Sequence, residues 1–307
     1  MRRRPGAEAV LERGWLAAHR WLLARRAVQL GLLALFLAGP LAGWWIVKGN
    51  LSFSVTLSVL PLQDPYVLLQ SLATRHAPEG KALIGAAIVL AFYLLVGGRV
   101  YCAWVCPLNP VTDAAAWLRR RLGLARGVRL APTTRLWLLA MTLVVAALSG
   151  SLAWELVNPV SIVHRGLVFG MGAAWGLVLT VFLFDAFVAE RGWCGHLCPV
   201  GAFYGLLGRF ALVRVSAVRR ARCDECGDCY AVCPEPRVIK PALKGEGEGR
   251  SPVILSRDCT TCGRCIDVCA KDVFSFGTRF AAVPTPTIPI IQATPQPGHP
   301  QAPRRTP

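Results

Sequence analysis

The sequence predicts an α-helical membrane protein: four transmembrane helices in a duplicated two-helix unit, followed by a small, cysteine-rich α+β unit. Three observations carry that prediction. The composition is 54% hydrophobic and only 17% charged, with a mean hydropathy of +0.46, whereas soluble domains carry about a quarter charged residues. The apolar residues gather into four segments, approximately 27–47, 82–98, 136–154 and 166–189, each near the ~20 residues that cross a bilayer. Eight of the twelve cysteines fall in two tight runs between 223 and 269.

Residues 1–26 form a basic arm. The net charge of +17 invites a nucleic-acid partner, but the basic residues flank apolar runs, at Arg2–Arg4, Arg25–Arg26, Arg119–Arg121 and Arg219–Arg220. That placement orients a membrane protein and argues against nucleic acid. Seven arginines precede residue 27 and seven more lie from Arg99 to Arg135, while 48–81 holds only Lys48, Arg75 and Lys81, and 154–165 only Arg165. By the positive-inside rule both termini are expected in the cytoplasm of a bacterial inner-membrane protein. Arg25–Arg26 before an apolar run faintly resembles a twin-arginine signal, but Gly43–Ile46 offers no small-residue cleavage site and further spans follow. Pro40 interrupts the first span, as membrane helices tolerate.

The region 27–213 reads as two repeated halves. Each has two spans followed by C-x-x-x-C-P, Cys102/Cys106-Pro107 and Cys194/Cys198-Pro199, offset by 92 residues. Asp64-Pro65 is echoed by Asn158-Pro159. Residues 200–213 are apolar but too short to span and read as an interfacial helix. The unit 214–283 holds the cysteine runs. The segment 284–307, with eight prolines in 24 residues, reads as a disordered tail.

The strongest chemical signal is Cys223-x2-Cys226-x2-Cys229-x3-Cys233-Pro234, repeated as Cys259-x2-Cys262-x2-Cys265-x3-Cys269. In two-cluster ferredoxins the fourth cysteine of each run ligates the other cluster. The expectation is therefore a ferredoxin-like domain with two 4Fe–4S clusters: Cys223, Cys226, Cys229 and Cys269 hold one, and Cys259, Cys262, Cys265 and Cys233 the other. Structural zinc sites use two ligands per short run and fit less well. A disulfide framework fits poorly for the same reason, and no haem is expected, because no histidine follows the Cys-x-x-Cys pairs. Ala270 stands where a second proline would follow Cys269.

Cys102, Cys106, Cys194 and Cys198 leave alternatives open: a further Fe–S centre, a single metal ion, redox-active thiols, or four buried unligated cysteines. A membrane electron carrier needs a donor, for which lipid-soluble quinol is the natural substrate. Its oxidation releases protons and so needs carboxylate or imidazole acceptors. Asp64, Glu155 and His164 are the candidates in the outer loops, each against the plainer reading of a headgroup-level polar residue. Trp44, Trp45 and Trp154 read as an interfacial aromatic belt. Asp185, near the inner end of the fourth span, is an ionisable residue where one is costly, or one that reaches headgroups.

Several stretches together resemble the NapH family, the ferredoxin-type quinol dehydrogenase membrane subunits of periplasmic nitrate reductase systems. They are Gly49–Leu51, Asp64-Pro65, Cys102–Pro110, Trp154–Ser161, Gly192–Gly201, Cys233–Pro236 and Thr261–Cys265. The likeness covers about 27–280. It implies two cytoplasmic 4Fe–4S clusters and electron transfer from the quinol pool toward a periplasmic nitrate reductase. A periplasmic ferredoxin-type subunit and cytochromes c are the implied partners. Electrons must then cross the membrane. Related proteins share the cysteine motifs, among them the methylamine-utilisation ferredoxin-type protein. An assembly or maturation factor for a partner oxidoreductase, or a redox sensor, are the rival functions.

Overall fold

A computed structural model describes residues 4–280 apart from 125, 126 and 129, so the proline-rich segment 284–307 lies outside the described residues. Helix α1 (Ala7–Arg13) leads into the long helix α2 (Arg20–Ala42). With the preceding turn, Ala17–Ala42 is the one described helix long and apolar enough, by length and composition, to cross a membrane. It ends at Gly43, with φ 74°, where the amides of Gly43 and Trp44 turn back to the carbonyls of Gly39 and Ala38. Glycine makes this left-handed ending without Cβ strain. The helix thus starts and stops earlier than the apolar segment 27–47. An antiparallel sheet follows, β1 (Val47–Gly49), β2 (Phe53–Thr56) and β3 (Leu60–Gln63), in that order.

The rest of the first half is α3 (Pro65–Ala73), α4 (Gly80–Val96), a π turn at Tyr101–Val105, and α5 (Asn109–Arg121). The second half repeats the plan with α6 (Thr134–Ser149), α7 (Ala153–Val157), α8 (Pro159–Phe169) and α9 (Ala174–Leu183), which continues as a π turn to Val188. A π turn at Trp193–Leu197 and α10 (Pro199–Gly208) complete it. The echo of Asp64-Pro65 in Asn158-Pro159 has a structural meaning. Each Asx side chain caps a helix, accepting from the amide of Tyr66 or Val160, and the proline takes the first helical position, where its missing N–H costs nothing.

Three expectations need correction. The apolar segment 166–189 is not one helix: α8 stops at Phe169, and Gly170 (φ 103°) and Gly172 (φ 32°) make the break before α9. The helix in 200–213 is not interfacial. It is buried along Pro199–Ala202, Tyr204 and Gly208 and packs on α4 and α6. The approach is so close that a Cβ on Gly98 would sit 1.8 Å from the Tyr204 carbonyl oxygen. Asp185 does not reach out of the fold; it is fully buried and accepts from the Trp193 amide at 2.9 Å.

The cysteine-rich unit is α+β: β4 (Val213–Ser216), α11 (Asp228–Val232), α12 (Ile239–Lys244), α13 (Arg264–Val268) and β5 (Ser275–Thr278). Strands β4 and β5 pair antiparallel, Val213 opposite Thr278, and so tie the two ends of the unit together. Val215, Val232, Ile239, Ile254, Val273 and Phe274 form its core.

The N-terminal arm is a strap on this unit as well as a basic flank. The Gly6 amide donates to Asp228, and Arg13 donates to Asp272 and to the carbonyls of Ile266 and Asp267. The fully buried Asp267 carboxylate accepts from the Trp21 and Leu22 amides, and so caps α2 from another part of the chain. Hydrogen bonds to a buried charge contribute about 1.5–3 kcal/mol each. Asp267→Ala should therefore accelerate hydrogen exchange at the Trp21 and Leu22 amides by at least about tenfold, while exchange in α4 and α6 stays unchanged.

Candidate functional site

Three cavities of similar size each take four cysteines. The first, about 450 Å³, is lined by Cys223, Cys226, Cys229 and Cys269. The second, about 360 Å³, is lined by Cys233, Cys259, Cys262 and Cys265. The chain thus groups the eight cysteines in the crossed sets that the spacing predicts, with Cys233 and Cys269 exchanged. Backbone geometry supports them: Gly227 and Gly263 take left-handed φ of 80° and 72° ahead of α11 and α13, and the Val273 amide donates to Cys269 Sγ at 3.4 Å.

The third cavity, about 400 Å³, lies between the two repeated halves and is lined by Cys102, Cys106, Cys194 and Cys198. A π turn carries each pair, closed by the Cys106 amide on the Tyr101 carbonyl and the Cys198 amide on that of Trp193. Such widened turns recur at functional sites. In the second pair the cysteine then caps the next helix: Cys198 Sγ accepts from the Gly201 amide at 3.5 Å, and Pro199 takes the first helical position. Contacts cross between the halves. Cys194 Sγ is 3.9 Å from Thr112 Oγ1 on α5, and a Cβ on Gly201 would lie 3.9 Å from Cys102 Sγ and from the Cys198 Cβ. Cys106 is buried, and Cys102, Cys194 and Cys198 are half-buried.

The donor sets fit iron–sulfur clusters. Among the described residues, four thiols and no histidine line each cavity. A lone tetrahedral metal with bonds of about 2.3 Å would draw its sulfurs together, but among the described residues no group of His, Cys, Asp or Glu is gathered tightly enough to hold a single ion.

A fourth cavity of about 350 Å³ joins the third to the second. Cys102 and Cys194 line one side, Glu235 and Thr260 the other, and Arg99 and Arg191 lie between. Buried arginines fasten this junction. Arg99 donates to Glu235 Oε1 at 3.2 Å and to the carbonyls of Asp258 and Cys194 at 2.8 and 3.1 Å. Arg135 donates to Glu235, Asp258 and the Gly195 carbonyl. Trp104, inside the first C-x-x-x-C turn, donates to the Thr261 carbonyl at 3.1 Å. Nearby, Asp113 binds Arg25, Arg26 and Arg191. Burial pushes its carboxyl up, but the arginines outweigh this and hold it at about 2.

Two of the three polar candidates come together. Glu155 accepts from Ser52 (3.1 Å), Asn158 (3.1 Å) and Ser161. Asp64 accepts from the Tyr66 amide and the Tyr204 hydroxyl at 2.9 and 3.0 Å, and its own amide donates to the Ser52 carbonyl. Ser52 therefore links the Asp64 backbone to the Glu155 carboxylate. Burial pushes the Asp64 carboxyl up to about 6 despite those donors. Asn158 also lines the third cavity, so the network reaches the cavity wall. His164 stands apart from this network, edge-on to Phe36, with its ring pKa lowered by burial and Arg165. Trp154 does not belong to an interfacial belt; it is buried and lines the third cavity. Beside Gln63, an open groove of about 1550 Å³ runs between the sheet and α4, lined by Phe53, Val55, Leu60, Val67 and Ile84.

Sequence reasoning missed Ser52, Ser161, Tyr204 and Arg99. The signal for the serines was present in Gly49–Leu51 and Trp154–Ser161, which mark the loops that meet.

Comparison with known proteins bears on the same segments. A sequence profile described as a 4Fe-4S binding domain matches 81–125 and 171–217, each containing one C-x-x-x-C-P pair. One described as a 4Fe-4S dicluster domain matches 222–273. The chain is 59% identical to the methylamine utilization ferredoxin-type protein MauN of Paracoccus denitrificans over 88% of this chain and 95% of the relative. It is 51% identical to the ferredoxin-type protein NapH of Haemophilus influenzae over 90% and 96%, and 49% identical to NapH of Escherichia coli over 92% and 97%. No solved structure matches. Mostly helical, with its ferredoxin-type iron–sulfur unit at the C-terminal end, the chain belongs to the family of ferredoxin-type electron-transfer proteins that includes NapH and MauN.

Proposed function

We propose that this protein is a four-span inner-membrane electron-transfer subunit that takes electrons from quinol, with both termini cytoplasmic. The carrying observation is the set of three four-cysteine cavities, the third joined to the second through Arg99 and Glu235. Fe–S clusters bound there would supply one-electron redox chemistry. The first two sets would hold the 4Fe–4S pair, and Cys102, Cys106, Cys194 and Cys198 a third sulfur-ligated centre.

Outward apolar faces support the four spans. Leu30 and Leu35 on α2, Ile84 and Phe92 on α4, Trp137 and Val144 on α6, and Trp175 and Leu179 on α9 are all exposed, a pattern that water disfavours and lipid accepts. The strap between the N-terminal arm and the ferredoxin unit supports placing both on one side.

In this reading the apolar groove beside Gln63 admits the quinol ring. Asp64 and Glu155 accept its protons, with Ser52, Asn158 and Ser161 holding Glu155 in place. Three features of the chain keep the electron path short: a shared wall at Cys102 and Cys194, the Trp104–Thr261 contact, and the buried arginines. The destination is a periplasmic nitrate reductase, reached through a ferredoxin-type subunit and cytochromes c, as the resemblance to the NapH family implies. The MauN relatives, 59% and 55% identical, favour a second reading in which the same machinery serves methylamine utilisation.

Iron and sulfide analysis with EPR tests the cluster reading. Cys102→Ala should lose one centre's iron and sulfide and leave the two ferredoxin signals intact. Iron unchanged from wild type would refute a centre at that site.

A further inference from the structure

Resting on the reading of the third cavity as a sulfur-cluster site, we infer that Trp154 and Trp193 are its dedicated hydrogen-bond donors and set its potential. Both residues line the cavity, and both indole Nε1 atoms are buried without a hydrogen-bond partner. An unmet buried donor costs about 1–3 kcal/mol, so two of them on residues that line a four-cysteine cavity call for an acceptor there. Cluster sulfides and cysteine thiolates are such acceptors. Trp21, whose indole is also unpartnered, lines none of the cysteine cavities.

The backbone of each tryptophan is held by a buried side chain. Gln70, fully buried on α3, accepts from the Trp154 amide at 3.2 Å. Asp185, fully buried, accepts from the Trp193 amide at 2.9 Å and so fixes the turn that carries Cys194. The surroundings favour a negative occupant. Among the described residues no Asp, Glu, Lys or Arg lines the cavity, while the first residues of α8 and α10, Pro159, Val160, Val200 and Gly201, do. Helix N-termini stabilise negative charge. The orphaned indoles point independently to a ligand.

A hydrogen bond to cluster sulfur strengthens as the cluster gains an electron, so each indole raises the reduction potential. Gln70 and Asp185 are positioning residues that act through the indoles.

The test is EPR-monitored potentiometry on the full chain, with Trp154→Phe, Trp193→Phe, and benzothienylalanine at each position. The last keeps the indole's shape and lacks the N–H. The expected result is a lower midpoint for the third centre and unmoved midpoints for the two ferredoxin centres, at wild-type iron content. Loss of the third centre from the isosteric proteins also supports the donors, because only the N–H has been removed. A third centre with full iron and an unmoved midpoint in both isosteric proteins overturns the inference and leaves the cluster reading standing. Absence of a third centre from the wild type overturns the cluster reading itself.

Discussion

Arg99→Ala is expected to loosen the ferredoxin unit from the helical half, at a cost of about 3–5 kcal/mol. The arginine side chain is 1% exposed and its partner Glu235 6%. Removing it leaves the carbonyls of Cys194 and Asp258 without that donor, and leaves Glu235 with Arg135 and Arg237 alone. A buried pair broken on one side costs more than the pair itself contributes, because the remaining charge stays desolvated. Arg99→Lys should recover only part of the loss, since one ammonium cannot serve the carboxylate and two carbonyls with the reach of a guanidinium fork. Thermal unfolding in detergent, followed by visible cluster absorbance, gives the size of the effect, and faster cleavage between the two units gives its place. A melting curve unchanged in Arg99→Ala would show that the junction does not depend on this residue.

Glu155→Gln should slow quinol-driven reduction of the clusters by about 10²-fold or more, the usual contribution of a positioned proton acceptor. Reduction by a small chemical donor such as dithionite should be unaffected, because it needs no proton acceptor in the fold. Asp64 adds a pH signature. Burial raises its carboxyl to about 6, so it is ionised and able to take a proton only as pH rises through that value. The Tyr204 hydroxyl donates to it and Tyr66 lies beside it, and burial pushes both phenols further up, so neither changes charge near that pH. The quinol-driven rate should therefore climb through about pH 6 in the wild type, and Asp64→Asn should flatten that limb. A variant that keeps the limb would remove Asp64 from the reaction.

Much of the site was legible because ligand spacing is local. The four ferredoxin cysteines of each run lie within eleven residues, whereas the crossed assignment of Cys233 and Cys269 comes from the two-cluster ferredoxin pattern and not from either run alone. The repeated Cys-x-x-x-Cys-Pro was legible as a pair, and proline at Pro199 turned out to begin a helix that the preceding cysteine caps. Long-range contacts were not legible. Arg99 and Arg135 look like ordinary positive flanks of apolar runs, and only the folded chain brings both against Glu235. Asp267 reads as one acid among ligands until α2 arrives at it. The fourth apolar segment misled because hydropathy averages over Gly170 and Gly172, whose backbone conformations divide it. Helix α10 misled because its length excludes a span but says nothing about burial, which the bare Gly98 surface makes possible.

The strap formed by residues 6–22 has a consequence for biogenesis. The segment from Gly6 to Leu22 is synthesised before its partners in the ferredoxin unit, among them Asp228, Ile266, Asp267, Lys271 and Asp272. The arm must wait through the making of both helical halves and can close only on a finished ferredoxin unit. Its partners neighbour Cys229, Cys265 and Cys269 in the sequence, so the arm latches only after both cysteine runs have been made.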